Sequence, residues 1–318
     1  MEKYCYRIYS YNRVNGIGAF SLMKPYIVKS RINKLLIERL NEDDHQIILE
    51  GIHCSGVIPY LNNSTRLVIR MHNDESHYYK QLAGSERNLF KKCYYIWESS
   101  LLKRHQKKLN RDIPLACLSL ADIKQFKEVY KFNNLQFIPC FIPWQLIKSK
   151  TGKGSFCLYH GNMGISENIA AALWLIRNVF NKASIPLVIA GKNIPGVVYK
   201  ASRGINHINL INNPTIGELE TLVFEAHVHI IPSMNDTGVK LKLLHALTEG
   251  RFTITKSRGL RGSGVSTGVH IADTSQQTLE YIQKLFEREF TNNDIAERQY
   301  IIDLYNNRLN AEKLSELY

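Results

Sequence analysis

Short apolar runs alternate with longer amphipathic stretches along the second half of the chain. Phe156–Tyr159, Pro186–Ala190, His207–Ile211, His227–Ile231 and Phe252–Thr255 read as buried strands, each bounded by turn residues. Between them helical spacing runs over 166–180, 215–224 and 238–249, and the first of these puts Ile169, Ala172, Leu173, Leu175 and Ile176 on one apolar stripe. Strands alternating with helices at this spacing predict βαβ units and a parallel, doubly wound sheet.

The first half is less regular but also reads as α/β. Ile47–Glu50, Leu67–Met71, Leu115–Leu118 and Gln136–Ile138 have strand character, separated by a long charged helical stretch at 76–109 and shorter ones at 31–42 and 121–131. Small and charged residues from Ser149 to Gly154 interrupt two apolar runs and predict a linker. The expected division is an N-terminal domain over 1–150 and a C-terminal domain over 151–318, the latter ending in a charged helical segment from about 275. No internal repeat and no low-complexity segment interrupts this pattern.

The 318 residues suffice for two domains, and 44% apolar against 22% charged residues excludes a chain disordered by composition. Six cysteines (Cys5, Cys54, Cys93, Cys117, Cys140, Cys157) are far apart without a Cys-x-x-Cys pair, which argues against a zinc ribbon, a thioredoxin motif or a disulfide scaffold. The apolar runs are of strand length, too short to span a bilayer, and the first residues lack the apolar core of a signal peptide. A soluble cytoplasmic protein is expected. Its net charge of +13 is uneven: residues 1–150 hold 24 Lys/Arg against 13 Asp/Glu, residues 151–318 only 17 against 15. The basic first half points to an anionic partner such as a nucleic acid, an anionic membrane face or a phosphorylated substrate, or to a merely solvated basic surface.

In open parallel sheets, ligands bind at the carboxyl ends of strands, beside loops that lead into helix N-termini. Four segments of the second half fall there. His160-Gly161-Asn162-Met163-Gly164 precedes the helix from Ser166; its glycines admit a phosphate to the backbone, or make a plain strand-to-helix turn. Lys192 follows the strand ending at Ala190 and offers a point charge, or is one more surface lysine. The segment from Pro232 to Lys242 concentrates Gly238, Lys240 and Lys242 at a helix start, the strongest anion-site signal in the chain. Arg258-Gly259-Leu260-Arg261-Gly262-Ser263-Gly264 is a mobile lid or a bland surface loop. Together they predict a nucleotide-diphosphate pocket. In the first half, Arg70-Met71-His72-Asn73-Asp74-Glu75-Ser76-His77 follows a strand at the equivalent edge, and Glu50-Gly51-Ile52-His53 ends its neighbour. These residues are candidates for acid/base chemistry or for hydrogen bonds to sugar hydroxyls; the His72/His77 spacing is not that of a helical metal pair.

Ser166-Glu167-Asn168-Ile169-Ala170-Ala171-Ala172-Leu173-Trp174-Leu175 followed by Thr237-Gly238-Val239-Lys240-Leu241-Lys242-Leu243-Leu244-His245-Ala246-Leu247-Thr248-Glu249-Gly250 resembles the C-terminal domain of family 4 glycosyltransferases. Arg70–Tyr79 is similar to the histidine-asparagine segment of a Bacteroidota-type branch of that family, so the resemblance extends over nearly the whole chain. It implies the GT-B architecture, in which two Rossmann-like domains face a cleft. It also implies retaining, metal-independent hexosyl transfer from a nucleotide-diphosphate sugar, with no cofactor, to a glycan or lipid-linked acceptor in surface polysaccharide or lipopolysaccharide synthesis. Donor contacts are then expected from Gly161, Asn162, Lys192, Asp236, Thr237, Gly238, Lys240, Lys242 and His245. His72 and Glu75 are the expected catalytic residues, with Glu50, His53, Asn73 and His77 on the acceptor side. An enzyme of this kind is expected in the cytoplasm, peripheral to the inner membrane, with no nucleic-acid partner.

Two departures accompany the resemblance. Thr237 and His245 occupy positions where relatives carry a pair of glutamates, leaving Asp236 for the sugar contact and His245 for the ribose. Relatives also open with a βαβ unit that would already have finished at Met1-Glu2-Lys3-Tyr4-Cys5, so the N-terminal domain is expected to be short. These departures motivate a rival reading as a catalytically inactive, scaffold-like relative; a nucleic-acid binder ranks below both, lacking an RNA-recognition segment or zinc finger.

Overall fold

A computed structural model describes residues 4–86 and 88–317. The chain divides at Ile138/Pro139 into two units, and the residues from Ala311 onward belong to the first. The expected linker at 149–154 lies inside unit 2, where Gly152 forms an antiparallel bridge with Phe290.

Unit 1 is built on four parallel strands, β1 (Ile47–Glu50), β2 (Leu67–Met71), β3 (Leu115–Cys117) and β4 (Leu135–Phe137), in that spatial order. β1 lies at the edge and alternates buried Ile47 and Leu49 with exposed Ile48 and Glu50. β2 is more fully covered, as an inner strand of an α/β sheet requires. Around the sheet lie α1 (Tyr26–Lys29), α2 (Lys34–Leu40), a 3-10 helix over Ile52–Tyr60, α3 (Glu75–Ser85), α4 (Leu89–Lys108) and α5 (Leu120–Glu128). The single helix expected at 76–109 is therefore two. Glu86 is extended, and Asn88 caps a new start by accepting from Lys91 N at 3.1 Å. Periodicity carries through such a break because both helices keep the same spacing, whereas an Asx cap restarts the hydrogen bonding. The core of the unit is filled by Ile69, Met71, Leu115, Phe126 and Tyr130, and Leu314 from the end of the chain packs with Val68, Ala116 and Ile138.

Unit 2 carries β5 (Cys157–His160), α6 (Ser166–Leu175), β6 (Leu187–Gly191), α7 (Gly196–Ser202), β7 (Ile208–Asn212), α8 (Ile216–Glu225) and β8 (Val228–Ile231). It continues through α9 (Leu241–Glu249), β9 (Phe252–Thr255), α10 (Ser257–Leu260), β10 (His270–Ile271) and α11 (Ser275–Glu287), then α12 (Asn292–Ala296) and α13 (Gln299–Leu304), and α14 (Asn307–Ser315) begins in unit 2 and ends in unit 1. All strands are parallel in the order β10-β9-β8-β5-β6-β7, which is doubly wound as expected. The winding reverses between β5 and β8, so the loops after these two strands border the crevice where such sheets bind ligands. The short β10 and the helix α7 have no clear periodic signal in the sequence. α9 begins at Leu241 rather than 238, because Gly238 has φ +62° and cannot continue a right-handed helix. Two buried arginines close the unit: Arg251 donates to the carbonyls of Phe224, Glu225 and Ala226 behind α8, and Arg298 to those of Leu247 and Gly250 behind α9.

Candidate functional site

In unit 2 the ends of β5 and β6 approach so closely that a Cβ on Gly191 would stand 1.9 Å from the Gly161 carbonyl oxygen. Gly161 N–H donates to Ala190 O at 3.0 Å, and Met163 N–H to Lys192 O at 2.8 Å, so the loops after these strands form one surface. Against Gly161 lies the ammonium of Lys242, which a Cβ there would meet at 3.0 Å. Lys242 Nζ donates to Asn168 Oδ1 at 2.9 Å and sits 5.0 Å from the centroid of the Tyr159 ring. Burial pushes its pKa down to about 8, partly offset by the charge of Glu167. A half-desolvated ammonium between a glycine loop and the start of α9 is suited to a diphosphate.

The remaining predicted donor residues divide into those that build the loop and those open to a ligand. Lys240 is the N-cap of α9 and donates inward, to Asn235 Oδ1 and to Thr237 O at 2.7 Å, so it shapes the loop. Asn162 accepts from Gly164 N–H at 2.9 Å, an Asx turn that fixes the loop after β5. Asp236 is ion-paired with Arg261, and Arg258 donates to Met234 O at 3.1 Å, so the loop that opens with α10 straps the one after β8. Thr237 is buried, while Lys192 is exposed. His245 stacks on Trp144 at 4.2 Å and 13°, with Nε2 3.1 Å from Glu249 Oε2. Burial lowers its pKa against the pull of that carboxylate.

Sequence reasoning missed Glu167. From the first turn of α6 it accepts from Met234 N–H at 3.3 Å and from the Asn235 side chain, tying the loop after β8 to the loop after β5. Asn168, its neighbour, accepts from Lys242 and donates to Asn162 O at 2.8 Å. The available signal is an acidic residue in the first turn of a helix that follows a strand, a position usually explained by the helix dipole alone.

In unit 1 the register pairs Glu50 with Arg70 across β1 and β2. Glu50 Oε2 lies 2.7 Å from His72 Nε2, and Arg70 Nη1 donates to Glu50 Oε1 at 3.3 Å. The contact with His72, above all, holds the Glu50 carboxyl below its ordinary range. His53 folds back over Gly51, its ring edge-on to His72 at 6.4 Å, and burial pushes its pKa down to about 4. Gly51 has φ +94°, and a Cβ there would stand 2.5 Å from the His53 ring. Asn73 donates to Glu75 Oε1 at 3.4 Å, and burial raises the Glu75 carboxyl. Thus Glu50, His53 and His72 converge at one strand edge, with Asn73 and Glu75 paired just beyond. His77 is engaged along α3 by the Gln81 side chain at 2.7 Å, and Asp74 serves as the α3 cap. Among the described residues, no group of three or more His, Cys, Asp or Glu side chains is arranged to hold a metal ion.

These two Rossmann-like units have the GT-B fold. Solved structures similar to the chain include a glycosyltransferase from Rickettsia africae, 12% identical with TM-score 0.62 over 92% of this chain and 81% of that one. A mutant of S. aureus TarM, in a complex with fondaparinux, α-GlcNAc-glycerol and UDP, is 15% identical with TM-score 0.61 over 89% of this chain and 58% of its own. A UDP-forming trehalose-phosphate synthase from Burkholderia xenovorans is 8% identical with TM-score 0.60, covering 89% and 75%. In sequence the chain is 28% identical over 299 residues to an uncharacterized 44.6 kDa protein in the cps region of Klebsiella pneumoniae, covering 88% of this chain and 75% of that protein. No family model matches the chain.

Proposed function

We propose that the chain is a glycosyltransferase that moves a hexosyl group from a nucleotide-diphosphate sugar to a glycan or lipid-linked acceptor in surface polysaccharide synthesis. The observation that carries this reading is Lys242: a half-buried ammonium bonded to Asn168 and packed on Gly161, at the switch point of a GT-B C-terminal unit. The cps-region relative supports polysaccharide synthesis as the setting, and glycosyltransferases among the structural neighbours support the reaction class.

Transfer with retention forms the bond from the acceptor oxygen to the anomeric carbon on the face from which the diphosphate leaves. The acceptor's proton passes to a departing phosphate oxygen, and Lys242 with the loop N–H groups stabilises the growing negative charge without a metal or cofactor. Glu50, His72 and Glu75 orient sugar hydroxyls in unit 1. The basic unit 1 brings the protein to an anionic membrane face where the acceptor is presented.

A thermal-shift screen against nucleoside diphosphates and their sugars, followed by turnover with whichever stabilises the chain, tests the proposal. Stabilisation without turnover favours the scaffold reading, to which the Asp236–Arg261 pair and the stacked His245 lend support by occupying donor positions. Absence of any stabilisation overturns both.

A further inference from the structure

Outside the residues discussed so far, unit 1 contains a cavity of about 620 Å³ walled by the segment before α1 and by the last turns of α4. Four cationic side chains line it, Lys24, Lys29, Arg104 and Lys108, and no carboxylate does. None of the four is ion-paired among the described residues. Lys24 Nζ stays 3.5 Å from the Tyr60 hydroxyl, and Lys29 donates to Phe20 O at 2.7 Å. The fifth basic residue of the wall, His105, contacts Ser55 Oγ at 2.7 Å and is neutral at pH 7. Burial, then the charges of Lys24 and Lys108, push it down to about 4. The rest of the lining is largely apolar, with Val14, Met23 and Ile32. Next to the lining residues Gly18 and Ser21 in the chain, the same segment exposes large apolar side chains, Ile17 at 93% and Leu22 and the lining Met23 at 73% each.

Four uncompensated cations around an apolar cavity match an amphiphile with an anionic head, and exposed Ile, Leu and Met beside them match the boundary between headgroups and acyl chains. We propose that this cavity is the membrane-docking site of the protein. A phospholipid phosphate rests on Lys24, Lys29, Arg104 and Lys108 while Ile17, Leu22 and Met23 enter the bilayer below it. The inference rests on the reading of an acceptor presented at a membrane, but it is tested without donor or acceptor, so each can fail alone.

The test is sedimentation with vesicles of phosphatidylcholine, with and without phosphatidylglycerol. The wild-type chain partitions onto the anionic vesicles. Arg104→Ala/Lys108→Ala weakens this roughly thirtyfold, since each cation at such a surface contributes about fivefold. Lys91→Ala/Lys92→Ala removes the same charge from the other end of α4, about 18–26 Å away by helical rise and beyond the screening length of about 8 Å. That pair changes partitioning less than about threefold. Ile17→Ser/Leu22→Ser, at exposed positions that leave folding intact, weakens it roughly tenfold or more. Equal losses from the two cationic pairs would mean diffuse surface charge, and an unaffected Ile17→Ser/Leu22→Ser protein would mean electrostatic adsorption with no apolar insertion; either overturns the proposal.

Discussion

Lys242 and Asn168 join the start of α9 to the first turn of α6: the lysine donates at 2.9 Å to an amide oxygen that also accepts from the Tyr159 hydroxyl at 3.3 Å. One ammonium proton is committed to Asn168, and the other two have no acceptor among the described residues. A cation fixed in this way is pre-organised for an anion and loses little freedom on binding it. Lys242→Ala is therefore expected to weaken nucleoside-diphosphate binding roughly ten- to a hundredfold, the equivalent of a charge-assisted contact of about 1.5–3 kcal/mol. Unchanged affinity by calorimetry would remove Lys242 from the site.

The same ammonium gives binding a pH dependence. Burial pushes its pKa down to about 8, and a bound diphosphate favours the charged form. Affinity is then full below that value and declines as the pH rises through it, by up to about tenfold per pH unit. Titrations across this range check the sign, and the Lys242→Ala protein is expected to lose the dependence. A wild-type affinity that rises with pH contradicts the assignment.

Glu167 is expected to act as a positioning residue. Glu167→Ala leaves Met234 N–H and the Asn235 amide without their acceptor, at a cost of about 1–3 kcal/mol in stability. Glu167→Gln keeps a hydrogen-bonding side chain but removes the charge that holds up the pKa of Lys242. The pH midpoint of diphosphate binding should then move down while the melting temperature stays near wild type. A midpoint that does not move would reduce Glu167 to a structural tie.

Period and punctuation make much of unit 2 legible. The apolar run Phe252–Thr255 coincides with β9, and the loops after β5 and β8 can be located because apolar runs stop at Gly161 and Pro232. Side-chain direction is not legible. Lys240 and Lys242 look equivalent in sequence, yet the positive φ of Gly238 turns Lys240 back onto its own loop and leaves Lys242 facing Gly161. The Glu50–Arg70 pairing depends on strand register, and the Trp144–His245 stack on a contact across about a hundred residues; neither is a local property of the chain.

His72 is half-exposed at the edge of β2, with 39% of its side chain open, and its contact with Glu50 is between two accessible groups. It is therefore poorly placed to hold a core together. His72→Ala is expected to reduce turnover while leaving the melting temperature and nucleotide affinity close to wild type, because the contact it would make matters in the transition state. Measured side by side, early melting with normal turnover of the folded fraction would make His72 structural.

Buried histidines set the response to acid. His229 on β8 has both ring nitrogens enclosed and neither in a hydrogen bond of ordinary geometry, the Val223 carbonyl offering only a weak contact, and His160 at the end of β5 has an unpartnered Nε2. Burial pushes His160 down to about 3 and His229 well below its ordinary value. Both are neutral in the folded chain, while the unfolded chain protonates them near pH 6.5. The unfolded state thus binds more protons below that pH, and stability is lost as the pH falls from about 6.5, by about 2 kcal/mol for one such group at pH 5. Asp122 in unit 1, raised to about 7 by burial, works in the opposite direction, so the wild-type profile alone is a sum of the two. The comparison that isolates the histidine is His229→Leu, which removes two poorly satisfied ring nitrogens from an apolar site and is expected to be neutral or stabilising at pH 7. Denaturant unfolding at pH 7 and pH 5 should show the variant gaining on wild type at the lower pH. A gap that stays constant between the two would mean that His229 takes up no extra proton on unfolding.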